Sequence, residues 1–515
     1  MTKTELQKQQ LAKLHSTIWD IACSFWGKME PDDYKDYVLG LLFYRFLSEK
    51  VEKTVATFLA HDEVGTYEEA WEIEEYREGL IDDLISTVGY VIEPKYLFSN
   101  IIDMINVKKE GFDVEYLQKA INSLMESTIG QESQEAFDGI FDDFDLTSTK
   151  LGKSIKDRNK LLSKAIISIN KIDFDHDDAQ IDVLGDAYEY LIGQFAATAG
   201  KKSGSFYTPA QAGTILAKLT TTGRERAQNV FDACGGSGSL LLSVGKEIDV
   251  ANYYYQELTT NTYNLARMNM LLHNVGYKKM HMENDDTLEN PAFLDNQMDV
   301  IVANPPYSQK WSSDDKFLDD ERFSEWGVLP PKSYADFAFV ISMLHTLKQD
   351  GAMAVLLPHG VLFRGGKEGE IRRKIIEKNF IDTVIGLPGN SFYGTGIPVA
   401  ILVFKKNKDT KDILFIDASK DFVKEGNKNY ITDDSIEKIM DAYSKRIDVE
   451  KYSHVADYDE LLENDFSLNI PRYVDTFEEE EPVNIEEKTK EYATLEKQSK
   501  EIDDKLAEFF KELGV

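Results

Sequence analysis

The run Val300-Ile301-Val302-Ala303-Asn304-Pro305-Pro306-Tyr307 places an amide and an aromatic ring directly after an apolar, strand-like stretch. Those residue types suit one task, holding a planar amine. The Asn304 side-chain carbonyl and the Pro305 backbone carbonyl each accept a hydrogen bond. Together they orient an exocyclic NH2 and steer its lone pair outward, toward a methyl donor, which is catalysis by positioning. Pro306 stiffens the turn, and Tyr307 offers a face on which an unstacked base rests. Asn-Pro is equally an ordinary turn signal. The tetrapeptide alone therefore leaves a plain turn open.

A second cluster has the chemistry of a nucleoside-type cofactor site. Phe231-Asp232-Ala233-Cys234-Gly235-Gly236-Ser237-Gly238-Ser239 follows a strand-like run and precedes Leu240-Leu241-Leu242. Gly236 and Gly238 let the backbone turn tightly and approach a ligand. Asp232 ahead of the loop is poorly placed for an anion. It suits a ligand carrying an ammonium group, such as the methionine moiety of S-adenosylmethionine. About 20 residues on, Glu257 closes Tyr253-Tyr254-Tyr255-Gln256, where an acid grips a ribose diol in nucleoside-binding α/β folds. Asn284-Asp285-Asp286-Thr287-Leu288 ends another short run and offers an acid to an adenine amine. Each element alone is also a plain turn; their succession is what points to binding.

Earlier, Gly204-Ser205-Phe206-Tyr207-Thr208-Pro209-Ala210 leads into a helical stretch. Thr208 reads as an N-cap with Pro209 at the first helical position. The functional alternative lays Phe206, Tyr207 and the helix start against the carboxylate end of the cofactor.

Three textures position these residues. Residues 1–170 read as a helical region: Tyr34, Tyr37, Val38, Leu41, Leu42 and Phe46 recur at helical spacing after a turn at Glu30 to Asp33. In residues 171–475, short β-rich runs alternate with helical ones. The runs are 229–233, 252–256, 298–303, 351–357, 382–387, 399–404 and 413–416; helical patterns cover 259–273, 336–348 and 368–378. This alternation predicts an α/β domain with a mostly parallel sheet. The last runs lie close together without a clear helix between them, which predicts an antiparallel edge. Residues 476–515 form a charged helical tail. There Tyr492, Leu495, Ser499, Ile502, Leu506, Phe509 and Leu513 make a heptad seam, suited to packing on its own domain or on a partner helix.

A chain of 515 residues has room for two or three domains with their own cores. No stretch is long and apolar enough to cross a membrane, and the polar start lacks the apolar centre of a secretory signal. Two cysteines, Cys23 and Cys234, make neither a disulfide framework nor a metal cluster, so a reducing cytoplasm and no metal are expected. The net charge is −33, the reverse of the basic footprint of a lone DNA-binding protein. Either nucleic acid is not the substrate, or a partner supplies most phosphate contacts, or a local basic groove hides in the total.

Together these blocks resemble the modification (M) subunit of a type I restriction-modification system, an N6-adenine DNA methyltransferase. The matching blocks run from Gly204 to Pro209, Asp232 to Gly238, Gln256-Glu257 with Asn261 to Met270, Asp286 to Leu288, and Asn304 to Tyr307. Their order is similar to the γ arrangement of amino-methyltransferases. Trp19 to Ser48, Ile181 to Leu191, Leu362 to Gly366, Phe392 to Pro398 and Asp465 to Tyr473 extend the likeness over nearly the whole chain. One departure is visible. The family usually has Asp-Pro-x-Cys-Gly-Ser-Gly; here Ala233 replaces the Pro and the Cys sits one place early, at 234.

The resemblance implies an all-α N-terminal domain, a Rossmann-like S-adenosylmethionine-dependent methyltransferase sheet and a C-terminal helical tail. It implies catalysis by Asn304, Pro305, Pro306 and Tyr307, with Tyr307 and Phe392 stacking on a flipped adenine. Cofactor contacts are expected from Ser205, Phe206, Tyr207, Thr208, Pro209, Ala210, Asp232, Gly236, Ser237, Gly238, Ser239, Glu257 and Asp286. The implied partners are double-stranded DNA, a specificity (S) subunit bound by two M subunits and, further, a restriction (R) subunit. Two other classes share features with the chain. Methyltransferases of release-factor glutamines or RNA bases share Asn-Pro-Pro-Tyr but not the N-terminal helical block. An acidic DNA mimic on a degenerate methyltransferase fold would not need intact Asp232, Gly236, Gly238, Glu257 and Asn304.

Overall fold

The computed structural model describes residues 29, 31–107, 112–172, 183–198, 207–392, 396–426, 428–476 and 485–513. Residues Met1–Val474 make one compact unit and Asp475–Val515 a second.

The first unit is built on a sheet whose strands are β1 (Arg226–Asp232), β2 (Asp249–Gln256), β3 (Met280–Glu283), β4 (Met298–Ala303), β5 (Leu347–Pro358), β6 (Ile381–Gly386), β7 (Val399–Lys405), β8 (Ile413–Asp417) and β11 (Ser453–Ala456). Strands β9 (Val423–Glu425) and β10 (Lys428–Tyr430) form a separate hairpin. The nine-stranded order is β11-β8-β6-β7-β5-β4-β1-β2-β3. From β5 through β3 every neighbouring pair is parallel.

The reason lies in the runs themselves. All six residues of β4 are buried. Val300 and Val302 enter one apolar core and Ile301 and Ala303 the other, as a period of two requires. A strand buried on both faces reads as an apolar run, here broken only by Asp299, which pairs with Lys348 at 2.6 Å. It stops at Pro305, which has no N–H to continue the ladder. The helices Ala210–Thr221, Ser239–Glu247 and Asp433–Lys445 cover one face, and Asp336–Thr346 and Gly366–Glu377 the other.

Antiparallel pairing is not confined to the edge. Strand β7 lies between β5 and β6 and is antiparallel to both, while β11 is an antiparallel edge strand on β8. Six of the seven β7 residues are buried. A strand apolar on both faces belongs inside the sheet, where its N–H and C=O groups are paired on both sides.

The helical region centres on the helix Pro31–Phe58, whose Tyr34, Tyr37, Val38, Leu41 and Leu42 are buried. Its core continues into Met268, Leu271 and Leu272 of the helix Thr260–Leu272. Arg267 of that helix, 3% exposed, donates to the carbonyls of Glu135 and Asp138. The block Asn261 to Met270 therefore ties the helical region to the sheet. In the second unit one helix runs Ile485–Leu513. Its Tyr492, Leu495, Ile502, Leu506 and Phe509 are exposed.

Candidate active site

The carboxyl ends of four adjacent strands meet at one rim of the sheet. Strand β1 ends at Asp232, β2 leads into Glu257, β3 is followed by Asp286 and β4 by Asn304. Strand order reverses at β1, which opens a crevice between the β1 and β4 ends, the usual ligand position in α/β sheets. All four side chains line one cleft of about 940 Å³, with Thr208, Gly236, Ser237, Ser239, Pro305, Pro306, Tyr307 and Phe392. Asp232, Glu257, Asp286 and Glu289 face it against two cations, Lys35 and Lys310. That balance favours a positively charged ligand.

The glycine loop is shaped from below. Gly236 and Gly238 have φ of 53° and 80°, and Gly238 caps the helix Ser239–Glu247. Glu257 accepts from the backbone N–H of Gly236 at 3.1 Å and of Thr259 at 2.9 Å. Tyr255 donates its hydroxyl to the Gly236 carbonyl at 2.6 Å, and Asn269 donates to the Ser237 carbonyl at 2.9 Å. Neither Tyr255 nor Asn269 was marked by its sequence as a support; only contact across the fold reveals them. Asp286 accepts from the N–H groups of Leu288 and Glu289, and Thr287 donates to the Ala233 carbonyl.

Asp232 has no solvent exposure. One carboxylate oxygen accepts from the Cys234 N–H at 3.0 Å; the other has no partner among the described residues. Burial, reinforced by the nearby Glu257, pushes its pKa up to about 8. A buried acid with one unused oxygen on a cleft-lining residue suits a cation.

Asn304 is held by its nitrogen. Its Nδ2 donates to Thr208 Oγ1 at 2.9 Å, and its Oδ1 is buried without a partner among the described residues. The far end of the turn is fixed by Asp336, which accepts from the Ser308 N–H at 3.0 Å. Asp336 is itself 1% exposed and paired with Arg364, which also holds Glu368. The matched block Leu362 to Gly366 thus braces the turn. The Tyr307 hydroxyl is buried and partnerless among the described residues.

Some expected contacts fall elsewhere. Thr208 is not the helix N-cap. Pro209 takes that place with φ −53° and ψ 137°, non-helical backbone that puts the start at Ala210. Tyr207 belongs to the helical region's core, and Tyr207, Pro209, Ala210 and Gly238 do not line the cleft. Ser205 and Phe206 lie outside the described residues, as do Tyr393 to Thr395. Among the described residues no cluster of His, Cys, Asp and Glu is arranged to hold a metal ion. Among the described residues no helix is long and apolar enough to cross a membrane.

The model of the N-6 DNA methylase family matches residues 179–482. The chain belongs to that family. The model of the HsdM N-terminal domain matches residues 14–169. The type I restriction enzyme MpnII methylase subunit of Mycoplasma pneumoniae is 37% identical over 93% of this chain and 92% of its own. A crystal structure of a type I restriction-modification methyltransferase subunit from Streptococcus thermophilus is 41% identical, with a TM-score of 0.84 over 91% of this chain and all of that one. A structure described in terms of assembly and conformational transition of a type I system shares the fold at a TM-score of 0.61 and 20% identity. This methylase is thus a type I restriction-modification methylase subunit by family, with the mixed α/β sheet, helical N-terminal region and C-terminal helix expected of it.

Proposed function

We propose that this chain transfers a methyl group from S-adenosylmethionine to N6 of an adenine flipped out of duplex DNA. The carrying observation is the pair of unused buried oxygens in one cleft: Asp232 Oδ2 at the β1 end and Asn304 Oδ1 at the β4 end. One suits a cation, the other an N–H donor.

The residues fit the cofactor. Asp232 would take the ammonium, Glu257 the ribose and Asp286 the adenine of S-adenosylmethionine, with the glycine loop against its centre. Bound there, it supplies an electrophilic sulfonium methyl. Asn304 Oδ1 and the Pro305 carbonyl accept the two N–H bonds of the target amine and leave its lone pair pointing outward. Tyr307 and Phe392 provide the ring faces for the flipped base. No strong base is needed, because the amine attacks first and sheds its proton to water afterwards.

The relatives are named methylase subunits of type I restriction enzymes. A separate specificity subunit would then choose the DNA site, two copies of this chain would bind one such subunit, and a restriction subunit would join them in the cytoplasm. The exposed apolar seam of Ile485–Leu513 supports docking on a helical partner. The acidic total charge fits an assembly whose phosphate contacts are shared out.

The test is transfer of tritiated methyl from S-adenosylmethionine to DNA, with and without a co-expressed specificity subunit. Label in protein or RNA but not DNA would overturn the reading. Asn304→Ala should lose nearly all transfer, leaving only a slow residual single-turnover rate, while calorimetric cofactor binding persists.

A further inference from the structure

An amide side chain has two ends of nearly equal shape and opposite hydrogen-bonding character. With its carbonyl toward the cleft, Asn304 accepts from a target amine. Turned over, it would set NH2 against NH2 and repel it. The four residues of the turn do not decide between these states. The decision is made by whatever holds the other end of the amide, and in this protein that is Thr208 Oγ1, 2.9 Å from Asn304 Nδ2.

Three observations make this contact more than a local tie. Thr208 is 96 positions from Asn304 in the chain and 8% exposed. Its side chain is released from capping, since Pro209 is the N-cap and the helix Ala210–Thr221 has no side-chain cap. And Asn304 Oδ1, the end left over, is buried without a partner among the described residues. A hydroxyl has one proton and two lone pairs. One lone pair of Thr208 is engaged by Asn304, no protein acceptor for its proton exists among the described residues, and Thr208 lines the cleft.

We infer that Thr208 is a positioning residue that fixes the Asn304 amide with its carbonyl toward the target amine. An acceptor in the cleft that takes the Thr208 proton commits the hydroxyl oxygen to receiving the amide N–H. On the methyl-transfer reading, on which this inference rests, that acceptor is the cofactor's carboxylate. Cofactor occupancy then sets the amide before the target base arrives.

The experiment uses the full-length chain with its specificity subunit. It compares wild type, Thr208→Val, Thr208→Ala, Thr208→Ser, Asn304→Ala and the Thr208→Val/Asn304→Ala double variant. Two quantities are measured: single-turnover methyl transfer to duplex DNA at saturating cofactor, and cofactor Kd by calorimetry. Thr208→Val and Thr208→Ala should lose roughly 100-fold in rate, as misplaced reacting groups do. Cofactor Kd should weaken by about 10- to 150-fold, the scale of one hydrogen bond to a charged group. Thr208→Ser, which keeps the hydroxyl, should recover most of the rate. The double variant should be no slower than Asn304→Ala, because no amide remains to orient. A wild-type rate in Thr208→Val, losses that multiply in the double variant, or a normal saturating rate with cofactor affinity alone impaired would each overturn the role of Thr208. A wild-type chain that transfers no label to DNA would instead overturn the methyl-transfer reading, and this inference with it.

Discussion

A Cβ placed on Gly235 would lie 2.0 Å from Cε2 of Tyr255, well inside the ring's own volume. Tyr255 sits at the end of β2, fully buried, with its hydroxyl on the Gly236 carbonyl. The ring is a wedge beneath the glycine loop. With Tyr255 in place, position 235 has no room for the cysteine side chain that the family pattern puts there. Gly235→Ala is expected to cost about 1–3 kcal/mol through overpacking. It should also weaken cofactor binding, since Gly236 moves with the ring. Thermal denaturation and calorimetry check both; an unchanged melting temperature would remove the wedge.

Cofactor binding should depend on pH through Asp232. In the folded, ligand-free chain this carboxyl keeps its proton up to about 8, against 3.8 for the free group. Its contribution to stability is therefore full below the lower value and is lost as pH rises through the higher one. A cationic ligand selects the ionised form. Affinity should rise between pH 6 and pH 8 and then level off, with about one proton released per ligand bound near pH 6. Calorimetry in two buffers of different ionisation enthalpy counts that proton. Asp232→Asn should bind weakly and without the slope.

Arg322 looks like a surface charge in Asp319-Asp320-Glu321-Arg322, yet it is 1% exposed. It donates to the carbonyls of Thr287 and Leu288, to Ser342 and to Asp320. It thereby fixes the segment that carries Asp286. Arg322→Met strands those acceptors and should cost about 3 kcal/mol, tempered by the partial exposure of Asp320. Cofactor affinity should fall with it, measured by chemical denaturation and calorimetry on the same preparation.

The two parts of Tyr307 should separate cleanly. Its hydroxyl is buried with no partner among the described residues. Tyr307→Phe removes a desolvated group that gains nothing, so stability should hold or improve by up to about 1 kcal/mol. Methyl transfer should stay near wild type. Tyr307→Ala removes the ring face, worth roughly 1–3 kcal/mol of base stacking, and should slow transfer about 10- to 100-fold at subsaturating DNA. Equal losses in both variants would assign the role to the hydroxyl instead.

Leu495 and Ile502 are each 58% exposed on the C-terminal helix. Leu495→Glu and Ile502→Glu should leave the melting temperature of the isolated chain unchanged, because no buried apolar area is lost. Co-purification with the specificity subunit should fail. A drop in melting temperature instead would mean that the seam packs within the chain.

Some of this was legible in the residues and some was not. Strand β4 falls at the expected 298–303, because an apolar run buried on both faces and closed by Asn-Pro leaves little freedom. The helix expected at 259–273 is Thr260–Leu272. Strand β3, Met280–Glu283, showed only as a short run ahead of Asn284: four residues are too few for a period to fix its bounds. Asp232, Glu257 and Asp286 stood out because each closes a strand or follows one; Glu289, which also lines the cleft, did not. Asp336 and Arg322 were not legible, nor was the hold of Thr208, expected as a cap and a cofactor contact, on Asn304: each acts across space on a segment distant in sequence, and nothing local distinguishes the first two from a helix start and a solvated charge. The interior place of β7 was hidden for the same reason: strand order within a sheet has no local signature.

That interior place has a consequence for how the chain is made. Strand β5 ends at Pro358 and waits for its second neighbour until Lys405 is added, 405 − 358 = 47 residues later. At roughly 5–20 residues per second, translation leaves that gap open for roughly 2–9 s. Throughout it, β5 carries an apolar edge with unpaired N–H and C=O groups, a template for pairing with another nascent chain. A ribosome stalled or terminated between Pro358 and Val399 would release a polypeptide with every acid of the cleft already synthesised and a sheet that cannot close around them.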